Sequence, residues 1–279
     1  MRLRSLLFVP GDRPDRMEKA LECGADALIL DLEDSVTLDA KPLARQATAD
    51  FLRHAKGRIR LLVRVNPLGS DLLDDDLSAI LDAQPDGLVL PKAEGASSVE
   101  ALSHLAPGMP ILPIATETPA AIFQLGTYAS VSAKLLGLTW GAEDLPAAIG
   151  ALGARDETGR FTPPYELARS LALFGAHAAG IAALETVYPA LSDQDGLTAY
   201  ARRARFDGFT GMMAIHPAQV SIINQAFTPT PEEVAQAQAI IDAFAAVPDR
   251  GSIRFAGRML DAPHLKQAKY LIAVARSLL

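Results

Sequence analysis

The chain has 279 residues, 49% hydrophobic and 21% charged, with a net charge of −7; this is the composition of a globular protein that can bury a sizeable core. The acidic balance argues against a nucleic-acid binder, because no basic surplus exists to displace counterions from phosphates, while small anionic substrates need only one local cation. The lone Cys23 rules out an intrachain disulfide, Ser5–Val9 is too short for a signal peptide and Ser170–Leu184 falls short of a membrane span, so a cytoplasmic protein with no membrane partner is expected.

In chain order, eight short apolar runs each stop at polar or turn-forming residues, the pattern of buried parallel strands. Leu6–Val9 ends in Pro10-Gly11-Asp12-Arg13, and Ala27–Leu30 ends in Asp31-Leu32-Glu33-Asp34. Ile59–Val65 carries Arg64 and ends in Asn66-Pro67; Gly87–Leu90 ends in Pro91-Lys92. Ile111–Ala115 ends in Thr116-Glu117, Leu135–Trp140 in Gly141-Ala142-Glu143-Asp144, Ala182–Val187 in Tyr188-Pro189 and Gly211–Ile215 in His216-Pro217. Helical patterns fall between them at Asp15–Glu22, Leu43–His54, Leu72–Leu81, Val99–Leu105, Tyr165–Ala179 and Gly196–Phe206.

Alternation of strand and helix implies a parallel sheet, and eight units closing on themselves make a (β/α)8 TIM barrel over residues 1–227. A doubly wound open sheet is the alternative; it is weakened by the lack of a GxGxxG after the first run and of any P-loop spacing. Gly150–Thr162 reads as a surface loop. Residues 228–279 form a C-terminal arm: a Thr228-Pro229-Thr230-Pro231 linker, a helix over Val234–Ala246, an extended or turn segment over Gly251–Asp261, and a helix over Pro263–Leu279. This arm shows little core of its own and is expected to pack on the barrel or on a neighbouring subunit.

In a parallel barrel the C-terminal strand ends converge on one mouth, where such enzymes hold their chemistry. Those ends carry Asp31, Glu33, Asp34, Arg64, Lys92, Glu117, Glu143, Asp144 and His216. Glu117, followed by Pro119 at a helix start, could be no more than a charge stabilised by the helix dipole; the repetition of charge at successive strand ends favours a site. Converging carboxylates need a cation, and Mg²⁺, which takes oxygen ligands and one or two protein carboxylates, suits Glu117 and Asp144 on the fifth and sixth runs. Zinc is a poor alternative, with one cysteine and no HxxxH spacing. Arg64 offers a planar fork for a substrate carboxylate. Asp31, Glu33 and Asp34 either ligate the metal or stand behind it, holding Arg64 or metal-bound water. Lys92 either forms a Schiff base or pairs with an acid at the mouth. His216 reads as a helix-opening hydrogen bonder, and Trp140 and Met212-Met213 as strand core.

The segments SLLFVPG (Ser5–Gly11), DALILDLEDSV (Asp26–Val36), VRVN (Val63–Asn66), LPK (Leu90–Lys92), Glu117-Thr118, GAEDL (Gly141–Leu145), GFTGMMAIHPAQ (Gly208–Gln219) and GRMLDAP (Gly257–Pro263) together resemble the citrate lyase beta-subunit-like members of the HpcH/HpaI aldolase superfamily, in order and over essentially the whole chain. The resemblance implies a Mg²⁺-dependent carbon–carbon lyase acting on a citryl-, malyl- or citramalyl-CoA type of thioester and releasing a 2-oxo acid such as oxaloacetate. It implies Glu117 and Asp144 as metal ligands and Arg64, with Glu117, as the grip on the oxo acid. It also implies CoA near Phe8, Pro10 and Arg13, and Asp261 as an acid/base lent by a neighbouring subunit of a homotrimer. For Asp261 the alternative is a cap on the last helix. A thioester hydrolase, or a citrate lyase beta subunit that needs an acyl-carrier partner, are the competing functions. Arg258, where relatives often carry lysine, and Thr118-Pro119-Ala120 depart from the family pattern and leave the acyl half open.

Overall fold

The computed structural model describes residues 3–278. Eight parallel strands occur where the apolar runs lie: β1 Ser5–Pro10, β2 Ala27–Asp31, β3 Arg60–Arg64, β4 Gly87–Leu90, β5 Ile111–Pro113, β6 Gly137–Thr139, β7 Ala182–Glu185 and β8 Gly211–Ala214. Their hydrogen-bonded order is β5-β4-β3-β2-β1-β8-β7-β6. Bridges from Ile111 to Leu135 and from Ile114 to Thr139 join the two ends, so the sheet closes as the TIM barrel that the alternation implied. The barrel is filled by Leu6, Ala27, Ile29, Leu62, Val89, Leu112, Ile114, Leu184 and Met213, all buried. Alternate residues on the same strands, among them Leu28, Leu30, Val63, Leu88 and Leu90, are buried as well. A strand covered on both faces must be apolar at every position, which is why these runs show no alternation in the sequence.

The helices follow each strand: α1 Pro14–Ala20, α2 Lys41–Ala55, α3 Leu73–Ile80, α4 Ala96–Leu105, α5 Pro119–Ile122, α6 Asp144–Ile149, α7 Pro163–Ala178, α8 Gln194–Asp207 and α9 Pro217–Phe227. Proline opens several of them at a position whose N–H has no partner within the helix. Two short 3₁₀ turns, separated by a kink at Val131, span Leu125–Lys134 and lead from α5 toward β6. Residues 150–162 hold no helix; they are tied by a bridge between Arg155 and Phe161.

The chain divides into two compact units, one up to Asn224 and one from Gln225 onward. The second holds α10 Pro231–Ala245, β9 Ser252–Phe255, β10 Arg258–Asp261 and α11 Ala262–Arg276. Thr230 caps α10 in a reciprocal box, its Oγ1 accepting from Glu233 N (3.2 Å) while Glu233 Oε2 accepts from Thr230 N (2.8 Å). The expectation that this arm has little core is corrected. Ala237, Ala268 and Ile272 form one cluster between α10 and α11, and Phe244, Ile253 and Leu260 form a second with the hairpin, Ile240 touching both. Among the described residues no helix is long and apolar enough to cross a membrane.

Candidate active site

The C-terminal ends of the strands surround a cavity of about 410 Å³. Asp31 closes β2 and Arg64 closes β3, and the two are register partners, so their side chains meet. Arg64 Nε and Nη2 donate to the two oxygens of Asp31 at 2.6 and 2.7 Å, a bidentate pair. Its Nη1 lies 2.9 Å from Glu33 Oε2 and 3.5 Å from Asp34 Oδ2, and the Phe8 ring sits 4.8 Å from the guanidinium carbon. Arg64 is therefore not the free fork that the sequence offered; most of its donors already hold acids. Burial alone would push the Asp31 carboxyl up, but the Arg64 hydrogen bonds and charge outweigh it and hold Asp31 below its usual range.

Lys92 follows β4 in a left-handed conformation, φ 51°, which side chains other than glycine seldom adopt. The turn aims two donors of one residue at different acids. Its backbone N–H donates to Glu117 Oε2 at 2.5 Å, and its ammonium lies 2.7 Å from Glu33 Oε1 and 3.4 Å from Asp144 Oδ1. Burial lowers the Lys92 pKa, yet the hydrogen bond to Glu33 and the charges of Glu33, Glu117 and Asp144 raise it overall. Lys92 is thus an ion-pairing ammonium. A Schiff-base role would need a neutral amine, which this environment opposes.

Glu117 is 4% exposed and lies between the end of β5 and α5, whose N-cap Thr118 accepts from Ala121 N at 3.2 Å. Burial pushes the Glu117 carboxyl up to about 8; the Lys92 N–H opposes this, and the neighbouring Asp144 and Glu33 reinforce it. Gly141 makes room for it: a Cβ there would stand 2.6 Å from Glu117 Cγ and 3.1 Å from Oε1. Asp144 opens α6, and Glu117, Asp144, Glu143, Asp31, Asp34 and Arg64 all line the cavity. In the network of ion pairs five acids (Asp31, Glu33, Asp34, Glu117, Asp144) face two cations, Arg64 and Lys92, and Glu143 and Arg16 add one charge of each sign to the cavity lining.

The remaining expected residues are dispersed. Phe8 and Pro10 line the cavity, but Arg13 does not: it is drawn to Asp15 in solvent (3.0 Å), and Arg16, one turn on, takes a place in the lining. His216 accepts from Ala218 N at 3.2 Å and opens α9. Asp261, in the second unit, is the N-cap of α11, half-exposed, with Oδ1 2.5 Å from His264 Nδ1.

Sequence reasoning passed over the wall behind the cavity. Glu185, fully buried at the end of β7, accepts from Trp140 Nε1 (2.5 Å), Tyr200 OH (2.7 Å) and Thr186 N (2.9 Å) on one oxygen, and from Arg169 Nε (2.7 Å) on the other. Arg169 also reaches Asp207 at 2.7 Å. The network fixes Trp140 and Thr186, both in the lining. No spacing in the sequence joins these residues; the pairing of β6 with β7 and the packing of α7 and α8 bring them together.

Residues 4–217 match the family model HpcH/HpaI aldolase/citrate lyase. A citrate lyase subunit beta-like protein of Deinococcus radiodurans is 36% identical, over 97% of this chain and 96% of its own length. The mitochondrial citramalyl-CoA lyase of Rattus norvegicus is 32% identical, over 99% of this chain and 86% of its own. The crystal structure of CitE from Mycobacterium tuberculosis in complex with magnesium, acetoacetate and coenzyme A superposes with a TM-score of 0.86 at 33% identity, covering 99% of this chain and 98% of that one. With the barrel, the acid-rich mouth and this breadth of similarity together, the chain belongs to the HpcH/HpaI aldolase/citrate lyase family.

Proposed function

We propose that the chain is a Mg²⁺-dependent carbon–carbon lyase. It would cleave a 3-hydroxy-acyl thioester of the citryl-, malyl- or citramalyl-CoA type into an acyl-CoA and a 2-oxo acid such as oxaloacetate. The observation that carries this reading is the charge imbalance of the mouth: Glu117, held up to about 8 by burial and by Asp144 and Glu33, lines one cavity with Asp144 and Arg64. Of the two cations beside Glu117 and Asp144, Arg64 is taken up by Asp31, Glu33 and Asp34, and Lys92 is shared with Glu33, so the negative charge of the pair is only partly offset. Among the described residues no three acidic, histidine or cysteine side chains group as a ready cage, and Mg²⁺ needs none, because it binds through one or two carboxylates and leaves its other positions to water and substrate. Glu117 and Asp144 would hold it. When bound, the ion would act as a Lewis acid on the substrate oxygens and as a template for the oxo acid.

The chain's own groups supply the rest. Arg64, its plane fixed by Asp31 and by the Phe8 ring, would offer its remaining N–H to the substrate carboxylate. Lys92 fixes Glu117 through its backbone and Glu33 through its ammonium. Ile114, Trp140, Val187, Met213 and Ile215 supply an apolar part of the lining beside these charged groups. Phe8, Pro10 and Arg16, at the β1 side of the cavity, would meet the CoA end. Asp261 would exchange the proton with the thioester fragment from a neighbouring copy in a homotrimer. The citramalyl-CoA lyase relative and the magnesium-, acetoacetate- and coenzyme A-bound CitE support the reading.

The test is incubation with Mg²⁺ and each of the three thioesters, following release of the 2-oxo acid. Turnover abolished by a chelator is expected. Folded protein inert toward all three overturns the reading. Free CoA without an oxo acid identifies a thioesterase, and turnover only of carrier-bound thioester identifies a beta subunit that works with an acyl-carrier protein.

A further inference from the structure

Thr139 ends β6 and faces the barrel interior, since its register partners Ile114 and Leu184 both belong to the interior cluster. It is 2% exposed, and its Oγ1 is buried with no hydrogen-bond partner. Its backbone oxygen is engaged, accepting from Ala115 N at 3.0 Å; the hydroxyl is not. With Ile114 and Met213, Thr139 lines the cavity into which Arg64, Glu117 and Asp144 also open. A buried hydroxyl left unpaired is destabilising, and valine would fill the same volume without that cost. Among the described residues the other buried side-chain atoms without a hydrogen bond belong to Glu33, Thr48, Arg155, Tyr165 and Arg169, none of them in the cavity lining. Among the described residues Thr139 is therefore the one buried hydroxyl of the cavity lining left without a partner, set between Ile114 and Leu184 and close to the charged groups. Ligand sites use such isolated polar atoms in apolar walls to fix orientation.

We propose that Thr139 is a substrate-orienting residue, its hydroxyl hydrogen-bonding an oxygen of the small 2-oxo or 2-hydroxy acid moiety at the cavity floor. The proposal rests on the reading of the cavity as the substrate site. A hydroxyl can donate to a carboxylate or ketone oxygen and accept from a substrate hydroxyl, so one side chain serves both ends of a reversible cleavage. A purely structural threonine would be replaceable by valine without loss of function.

The experiment compares wild type, Thr139→Val and Thr139→Ser. Melting temperature, binding of oxaloacetate and of pyruvate by calorimetry in the presence of Mg²⁺, and kcat/KM on the thioesters are measured for each. Thr139→Val is expected to melt at or above the wild-type temperature, bind the oxo acid about tenfold more weakly and lose about tenfold in kcat/KM; about 1.4 kcal/mol is one such hydrogen bond. Thr139→Ser, which keeps the hydroxyl, is expected to stay within a few-fold of wild type. If valine does not yield folded protein, Thr139→Ala takes its place in the same comparison. Wild-type affinity and kcat/KM in the variant without the hydroxyl overturn the proposal while leaving the lyase reading intact. A wild-type protein that neither binds an oxo acid nor turns over a thioester overturns both.

Discussion

Glu117→Gln should make the metal-free protein more stable, and increasingly so as pH rises. The Glu117 carboxyl ordinarily titrates near 4.5 and in the folded chain is pushed up to about 8 by burial and by Asp144 and Glu33. Between those values the folded state binds more protons than the unfolded state, so stability falls with rising pH. The sign is that of a raised carboxyl: no penalty below about 4.5, a penalty growing through the window, and the full penalty above about 8. At about 1.4 kcal/mol for each tenfold change in proton affinity, the span from 4.5 to about 8 corresponds to about 5 kcal/mol, of which about 3 is present at pH 7. Glutamine keeps an oxygen for the Lys92 N–H and carries no charge to bury. Urea unfolding of both proteins in the presence of a chelator, from pH 4.5 to 9, reads the difference directly. Saturating Mg²⁺ should then restore the wild type alone, by about 2.7 kcal/mol at a hundredfold excess over Kd. A stability gap that is flat with pH, or a wild type that gains on the variant as pH rises, refutes the reasoning.

Gly141→Ala would place a Cβ 2.6 Å from Glu117 Cγ; a drop of at least tenfold in Mg²⁺ affinity by calorimetry, with an unchanged far-ultraviolet spectrum, is expected. Arg64→Lys keeps the charge but loses the two-point grip on Asp31, and kcat/KM should fall about a hundredfold, seen chiefly as a raised KM for the oxo acid in the condensation direction. Asp76, fully buried, accepts from Arg45 Nε, Asn66 N and Asn66 Nδ2 at 2.8, 2.8 and 2.6 Å; Asp76→Ala strands these donors and should cost about 3–5 kcal/mol in urea unfolding.

The barrel was legible because strands covered on both faces cannot alternate, so each appeared as a continuous apolar run with a sharp stop. Boundaries were less so. Ile111–Ala115 shortens to Ile111–Pro113 as a strand, with pairing resumed one residue on by the Ile114–Thr139 bridge. The 3₁₀ turns of Leu125–Lys134 give no helical signal, having neither the 3.6-residue period nor a cap. The core of the arm was missed because its members are spread over two helices and a hairpin, and each segment alone shows only a few apolar residues. At the mouth, charge at the strand ends named the acids and Arg64. The pairing of Lys92 with an acid and of Arg64 with Asp31, Glu33 and Asp34 was among the readings the sequence offered; the left-handed turn of Lys92, with no glycine to announce it, and the role of a threonine that ends a strand like any β-former were not.

Acids elsewhere in the barrel unit sharpen the case for the mouth. Asp76 is matched by Arg45 and Asn66, and Glu185 by Arg169, Trp140 and Tyr200, each held by donors aimed at it. The fold can therefore pair a buried carboxylate, and does so where the carboxylate only braces structure. Around Glu117 and Asp144 it leaves the surplus standing, within reach of solvent through the cavity. An arrangement that opposes stability persists when something outside the chain completes it. On the proposed reading a divalent cation would supply the charge and an anionic acid the further oxygen ligands that the mouth lacks, and without them stability is expected to fall as pH rises through the Glu117 window.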